Sequence, residues 1–239
     1  MLLMLRTLLI FMNTAMLVKF GLGMKLWKLL QLGLRIYVQM FISHRKKMNN
    51  CTSDSGRTSK DLSGWSVLDI GTGNGLLLQE LAKQGFSNLT GTDYSEGAIV
   101  LAQNLATRNG YPNINFLVDD VLETKLDRKF QLVMDKGTLD AIGLHPDGPL
   151  KRIMYWESVS NLVAPGGILV ITSCNNTKDE LLQEVENLNQ KKTSMQELDP
   201  ESGNAPVVFQ YIDHVRTYPT IMFGGVEGSR VCSVAFCRS

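Results

Sequence analysis

Four short apolar runs in this 239-residue chain end in, or just before, an acidic residue. Asp69 lies at the end of one such run in "VLDIGTGNG" and is followed by glycines at alternate positions, Gly71, Gly73 and Gly75. Asp93 ends "NLTGTD", Asp119 and Asp120 stand before Val121 in "INFLVDDVL", and Asp135 ends "FQLVMD", with Asp140 five residues on in "DKGTLD". Apolar runs of this length read as buried strands. In an open α/β sheet the carboxyl ends of the strands border the ligand crevice, so these acids should face one ligand. Glycine permits positive φ and a close approach of backbone to ligand. The helix that follows the glycines offers unpaired N–H groups and a positive dipole end.

The glycine spacing narrows the ligand. A pyrophosphate loop reads G-x-G-x-x-G, whereas here the third glycine comes one residue early. Asp69 also stands in the turn, where its charge would repel a diphosphate. A carboxylate there suits a ligand carrying positive charge, such as the ammonium and sulfonium of S-adenosylmethionine. Asp93, 22 residues after Gly71, is placed to accept hydrogen bonds from a ribose diol. Asp119 or Asp120 can take the exocyclic amine of adenine. Any one of these acids alone is equally well a solvated strand-end or cap residue; their succession is what points to an adenosyl site.

The elements that must carry these residues are regular from Trp65 onward. "WSVLDI", "NLTGTDYS", "INFLV", "FQLVM" and "GILVITSC" read as strands, and "GLLLQELAKQG" as a helix closed by Gly85. A second helix starts from Ser95 as N-cap and stops before Gly110. A third lies around "LKRIMYWESVSNLV", and "TKDELLQEVENL" opens with Thr177 and Glu180 at capping-box spacing. After a polar loop, Thr193 to Ala205, "VVFQYIDHV" and "SRVCSVAFC" read as strands with no helix between them, pairing antiparallel at one edge. The pattern predicts a doubly wound, mostly parallel seven-stranded sheet with an antiparallel C-terminal pair.

Composition and charge bound the rest. Residues 1–53 hold eight Lys and Arg and no acid, which leaves 16 basic against 23 acidic residues beyond them, a balance that argues against nucleic acid as the partner. Residues 1–48 form a basic, apolar segment, 49–64 a polar linker, and 65–239 the main domain. The longest charge-free run near the start, Thr7 to Val18, falls short of a membrane span of about 18 residues or more. A targeting presequence, an interfacial helix or helices packed on the domain fit that segment, so membrane contact stays an alternative and not the expectation. Cys51, Cys174, Cys232 and Cys237 show neither C-x-x-C spacing nor paired histidines, and read as reduced thiols without a metal.

From Trp65 to Ser239 the chain resembles the seven-stranded class I methyltransferases that use S-adenosylmethionine. "LDIGTGNG" is similar to their first motif, Asp93 to the acid after the second strand, "VDDVL" to the adenine motif, and "LVAPGGILVITS" to the turn before the fifth strand. "DKGTLD", "SCNNTKDEL" and "FGGVEGS" together resemble the protein-lysine methyltransferases that modify translation elongation factor 1-alpha. The resemblance implies a cytoplasmic enzyme with S-adenosylmethionine as donor and a lysine of that protein as acceptor; a monomer is expected, and a nuclear pool is an alternative. Residues 1–50 depart from it, since the family carries an acidic and aromatic segment there.

Methyl transfer to lysine needs an aligned, neutral amine in a dry site, and a free lysine titrates near ~10.4. Asp135 is the first candidate for holding that amine and Asp140 the second, with a helix-start or loop carboxylate as the plain reading of Asp140. Lys136 can pair with either acid. Asn175 and Asn176 either line the acceptor channel or serve as turn residues before Thr177. His145 and His214 show no partners in the sequence, and Tyr155 and Trp156 fit core packing. Methylation of another protein or a small molecule, and a binding protein that retains the fold, are the competing readings. A nicotinamide dehydrogenase is opposed by Asp69 and the glycine spacing.

Overall fold

The computed structural model describes residues 63–198, 208–215, 222–223, 226–227 and 232–239. The chain divides at Lys60 and Asp61, and the architecture below belongs to the second unit. The readings made for residues 1–48, for Cys51 and for most of the linker fall outside the described residues.

Five parallel strands form the centre: β1 (Ser66–Ile70), β2 (Asn88–Asp93), β3 (Asn115–Val118), β4 (Phe130–Lys136) and β5 (Val163–Ser173). Two more complete the sheet, β6 (Phe209–Val215) and, after a two-stranded pair β7 (Met222–Phe223) and β8 (Val226–Glu227), β9 (Cys232–Arg238). The order is β3-β2-β1-β4-β5-β9-β6, with β9 antiparallel to both of its neighbours. This is the doubly wound sheet that the alternating pattern predicts, antiparallel pair included.

Among the described residues five helices accompany it: α1 (Leu76–Lys83), α2 (Glu96–Arg108), α3 (Thr138–Gly143), α4 (Gly148–Leu162) and α5 (Lys178–Leu198). Strand order runs one way from β1 to β3 and the other way from β4 to β5. Right-handed crossovers therefore put α1 and α2 on one face and α4 and α5 on the other. The reversal between β1 and β4 opens the crevice at their carboxyl ends. The connection from β3 to β4 carries only a 3-10 turn, Val121–Glu123, whose Val121 side chain is buried in the core.

Period-two alternation decides the core. Leu68, Ile70, Val133, Leu169, Ile171, Val234 and Phe236 belong to one buried cluster with Tyr155, Trp156 and Val159 of α4 and Leu181, Val185 and Leu188 of α5. Trp156 stands edge-on to Tyr155, Phe209 and Phe236, with ring centroids 5.6, 6.3 and 6.2 Å away, the arrangement that the ring quadrupoles favour.

Helix starts follow local chemistry. The Ser95 hydroxyl accepts from the Ala98 amide at 3.4 Å. Thr177 and Glu180 close their capping box: the Thr177 hydroxyl accepts from the Glu180 amide at 3.2 Å and the Glu180 carboxylate from the Thr177 amide at 2.7 Å. Two features depart from the sequence reading. Helix α5 continues to Leu198 through the start of the expected polar loop, where Thr193 and Ser194 satisfy their hydroxyls on the carbonyls of Asn189 and Gln190, each at 3.0 Å. Helix α3 occupies a stretch for which the sequence suggested no more than a helix start or loop at Asp140.

The glycine loop after β1 is packed on both sides by protein. Gly71, at φ 65°, lies so close to Thr138 that a Cβ would stand 2.0 Å from its Oγ1. Gly75, at φ 70°, would place a Cβ 2.7 Å from Phe116 Cζ and 3.0 Å from the Ala102 methyl. Gly75→Ala should therefore lose about 1–3 kcal/mol of stability through overpacking and a left-handed alanine. Urea unfolding of the variant checks this; an unchanged midpoint would mean that the loop relaxes freely.

Candidate active site

The carboxyl ends of β1, β2, β4 and β5 meet at one rim, and hydrogen bonds from buried acids tie their loops together. Asp93, at the end of β2, accepts from the Gly73 amide through Oδ2 and from the Ser95 amide through Oδ1, both at 3.0 Å. One carboxylate thus joins the glycine loop to the start of α2. Thr72 adds a second tie, its amide donating to the Thr92 carbonyl at 2.8 Å.

Asp69 is treated differently. It is 3 % exposed, and the Thr72 hydroxyl donates to its Oδ2 at 2.7 Å. Among the described residues its Oδ1 accepts no hydrogen bond. Burial pushes the carboxyl up to about 7, against the Thr72 hydrogen bond and nearby Lys136, with Asp135 and Asp93 adding their repulsion. The folded chain therefore keeps a proton that the unfolded chain gives up near 3.8, and this group's contribution to stability falls as pH rises from about 4 to 7. A cation beside Oδ1 would favour the charged form and reverse that preference.

Asp119, Asp120 and Val121 line the turn after β3. Both Asp119 oxygens are engaged, by the Thr124 hydroxyl at 2.7 Å and the Lys125 amide at 2.8 Å, so this residue braces its own loop. Asp120 is exposed and caps the 3-10 turn through Oδ1, which accepts from the Leu122 amide at 2.9 Å. Its other oxygen accepts no hydrogen bond among the described residues.

On the far side of β1, Asp135 ends the paired register beside Ile70. It is 1 % exposed, and its carboxylate turns under α3. Oδ1 accepts from the Thr138 amide at 2.9 Å, while Oδ2 accepts from the Leu139 amide at 3.0 Å and the Tyr155 hydroxyl at 2.7 Å. Burial still lifts its carboxyl to about 6 despite those three donors, and burial beside Asp135 holds the Tyr155 phenol well above its usual range. Thr138, whose amide Asp135 holds, sends its hydroxyl to the Ile70 carbonyl at 2.8 Å. Tyr155 is core, as read from the sequence, but its hydroxyl also serves the rim.

Asp140 binds the segment that follows β5. Its Oδ1 accepts from the Ser173 hydroxyl and from the Asn176 amide group at 3.1 Å, and its Oδ2 from the Cys174 backbone at 2.7 Å. Ser173 Oγ in turn accepts from the backbone amides of Asn175 at 3.1 Å and Asn176 at 2.8 Å. Asn176 belongs to this knot, while Asn175 is exposed. The partners hidden from the sequence are now visible as well. His145 Nδ1 accepts from the Asp147 amide at 3.0 Å, and His214 meets the Tyr211 hydroxyl at 2.6 Å.

Sequence reasoning singled out the acids but missed Thr72, Thr138, Tyr155 and Ser173 as their donors. Thr72 sits three residues from Asp69, a spacing the sequence displays; Ser173 lies 33 residues from Asp140, and nothing local announces it. No group of three or more His, Cys, Asp or Glu that could hold a metal ion occurs among the described residues. No described helix is long and apolar enough to cross a membrane.

Comparison with known proteins agrees with the architecture. The chain covers 87 % of itself and 81 % of a solved magnesium protoporphyrin IX methyltransferase from Synechocystis PCC 6803 at a TM-score of 0.54 and 17 % identity, a likeness of fold. It is 46 % identical over 173 residues to human EEF1A lysine methyltransferase 2, and 38 % identical over 182 residues to the Saccharomyces cerevisiae protein-lysine N-methyltransferase EFM4. Those alignments take in 72 % of this chain in each case, with 64 % of the human protein and 70 % of the yeast one. The chain thus spans just under two thirds of the length of the human relative. With the model of the methyltransferase domain matching residues 61–225, over a seven-stranded sheet with its antiparallel C-terminal pair and a glycine loop braced by buried acids, the chain belongs to the methyltransferase-domain family.

Proposed function

We propose that this chain is an S-adenosylmethionine-dependent protein-lysine N-methyltransferase whose acceptor is elongation factor 1-alpha. The observation that carries the donor is Asp69: a buried carboxylate beside the glycine loop, held near neutrality, with one oxygen lacking a donor among the described residues. A ligand with an ammonium and a sulfonium meets that need, whereas a diphosphate would oppose it. The acceptor rests on the 46 % identity to EEF1A lysine methyltransferase 2. Solved neighbours of the same fold carry bound SAM or S-adenosyl-l-homocysteine, which supports the same donor.

The residues that would hold the donor are Gly71, Gly73 and Gly75 with Asp69 around its charged end, Asp93 at the ribose, and Asp119, Asp120 and Val121 around adenine. Of the last three, Asp120 has the carboxylate oxygen left to accept from an amine; Asp119 shapes the loop. When bound, S-adenosylmethionine supplies a methyl carbon already activated by its sulfonium. The chain's task is then to align a neutral lysine and exclude water. Asp135 and Asp140 set the acceptor end: Asp135 fixes the start of α3, and Asp140 pulls the Ser173–Asn176 segment onto that helix. Each of these carboxylates already accepts three hydrogen bonds, which leaves one of its roughly four lone-pair sites for an amine. A monomer in the cytoplasm and nucleus, acting on protein and not nucleic acid, completes the proposal.

Purified chain with S-adenosylmethionine and unmethylated elongation factor 1-alpha should add methyl mass to a lysine, read by peptide mass spectrometry. Asp93→Ala should weaken donor binding by about tenfold or more, the scale of a lost charge-assisted hydrogen bond, and lower transfer in step at subsaturating donor. Unchanged calorimetric affinity would remove Asp93 from the donor site. The raised Asp69 carboxyl adds a pH dependence with a definite sign. Below about 7 the free protein must lose a proton before a cation is welcome, so donor affinity should rise with pH up to about 7 and then level off. Calorimetry in buffers of different ionisation enthalpy reads the released proton. A flat profile, or one that Asp69→Asn leaves intact, would exclude Asp69 from the donor site.

A further inference from the structure

Arg152 sits at the crossing of four elements and is engaged by three of them. It belongs to α4, and its Nε donates to Glu184 Oε1 of α5 at 2.9 Å, with Nη2 reaching the same oxygen. The other Glu184 oxygen accepts from the Trp156 indole at 2.6 Å, so the carboxylate has a donor on each side. Nη2 also donates to Asn176 Oδ1 at 2.9 Å. The guanidinium lies against Gly143, the last residue of α3, where a Cβ would stand 2.8 Å from Nη1. The pair is largely shielded from water, with side chains 17 % and 26 % exposed.

The consequence falls on the Asn176 amide. An asparagine amide can be turned by half a rotation with little change of shape, and its partners decide which end is which. Here Arg152 has no acceptor atom and claims Oδ1. Nδ2 is thereby directed at Asp140 Oδ1, at 3.1 Å, and at Ser173 Oγ, at 2.9 Å. Turned the other way, the amide would set its NH2 against the guanidinium and its oxygen against the Asp140 carboxylate. Arg152 therefore fixes the Asn176 amide, and through it the segment Ser173–Asn176 that closes the acceptor end.

We infer that Arg152, locked by Glu184 and Trp156, is a positioning residue for methyl transfer: it orients Asn176 and so holds the acceptor-side segment in register with the strand ends. This rests on the methyltransferase reading above. Lysine cannot take its place, since a single ammonium lacks the flat fork that serves Glu184 and Asn176 together while lying against Gly143.

The test uses the full chain as wild type, Arg152→Lys, Asn176→Ala and the double variant. Arg152→Lys keeps the charge beside Glu184 and so avoids stranding a shielded carboxylate. It should lower kcat on elongation factor 1-alpha by about ten- to a hundredfold, the scale of a misaligned acceptor, with the donor Kd and melting midpoint unchanged. Asn176→Ala should do the same, and the double variant should be no worse than Asn176→Ala alone, because both act through one amide. Hydrogen exchange of the peptide Ser173–Leu181 should speed up in Arg152→Lys, whether or not turnover is measurable. Normal kcat, slow exchange, losses that add in the double variant, or donor affinity falling in step with kcat would each overturn the inference. No transfer by wild type would sink the methyltransferase reading instead, and exchange would still decide whether Arg152 orders the segment.

Discussion

Burying a carboxylate is unfavourable unless donors are aimed at it, and this fold buries four along one rim. Asp69, Asp93, Asp135 and Asp140 are all among its buried residues. The loops at the strand ends take the shapes that bring donors to these acids. Asp93 draws in the backbone of the glycine loop and of α2, Asp135 the first turn of α3, and Asp140 the segment beyond β5. Where backbone amides answer the charge, the result is a fixed loop. Among the described residues Asp69 accepts from a single hydroxyl, and the proposed donor would give its charged form a partner.

The same bonds divide the rim into two halves with a shared wall. Thr138 is that wall: its amide belongs to the Asp135 cap, its hydroxyl to the Ile70 carbonyl, and its bulk to the space beside Gly71. On one side stand the glycine loop and Asp93; on the other lie α3, Asp140 and Asn176. The glycines thus have a use the loop pattern alone does not reveal. Gly71 and Gly75 leave room for Thr138 and Phe116, and the closeness is between parts of the chain itself.

Much of this was legible along the chain, because the informative signals are local. Alternating apolar runs mark β1 to β5, the Ser95 and Thr177–Glu180 caps mark α2 and α5, and the acids mark the strand ends. What escaped has no local signature. Helix α3 spans Thr138–Gly143, too short for a period to emerge, and its first two amides are held by Asp135 from the strand before. The end of α5 looked like loop because Thr193 and Ser194 favour turns until their hydroxyls return to the helix. The Arg152–Glu184–Trp156 cluster joins residues 28 to 32 apart on two helices, where only the packing of α4 on α5 makes them neighbours. Nor does sequence separate Asp69 from Asp93, two strand-end acids whose difference lies wholly in the donors folded around them.

The place of β9 bears on how the molecule is made. β6 precedes β9 in the chain, yet β9 lies between β5 and β6 and hydrogen-bonds to both. During vectorial synthesis β6 therefore emerges with no strand to pair with, and β5 with one open edge, until the later strand arrives to be inserted between them. Open strand edges are the surfaces on which nascent chains associate. The fold thus seats a later-made strand between two earlier ones, and that side of the sheet is completed by a wedge and not by a cap.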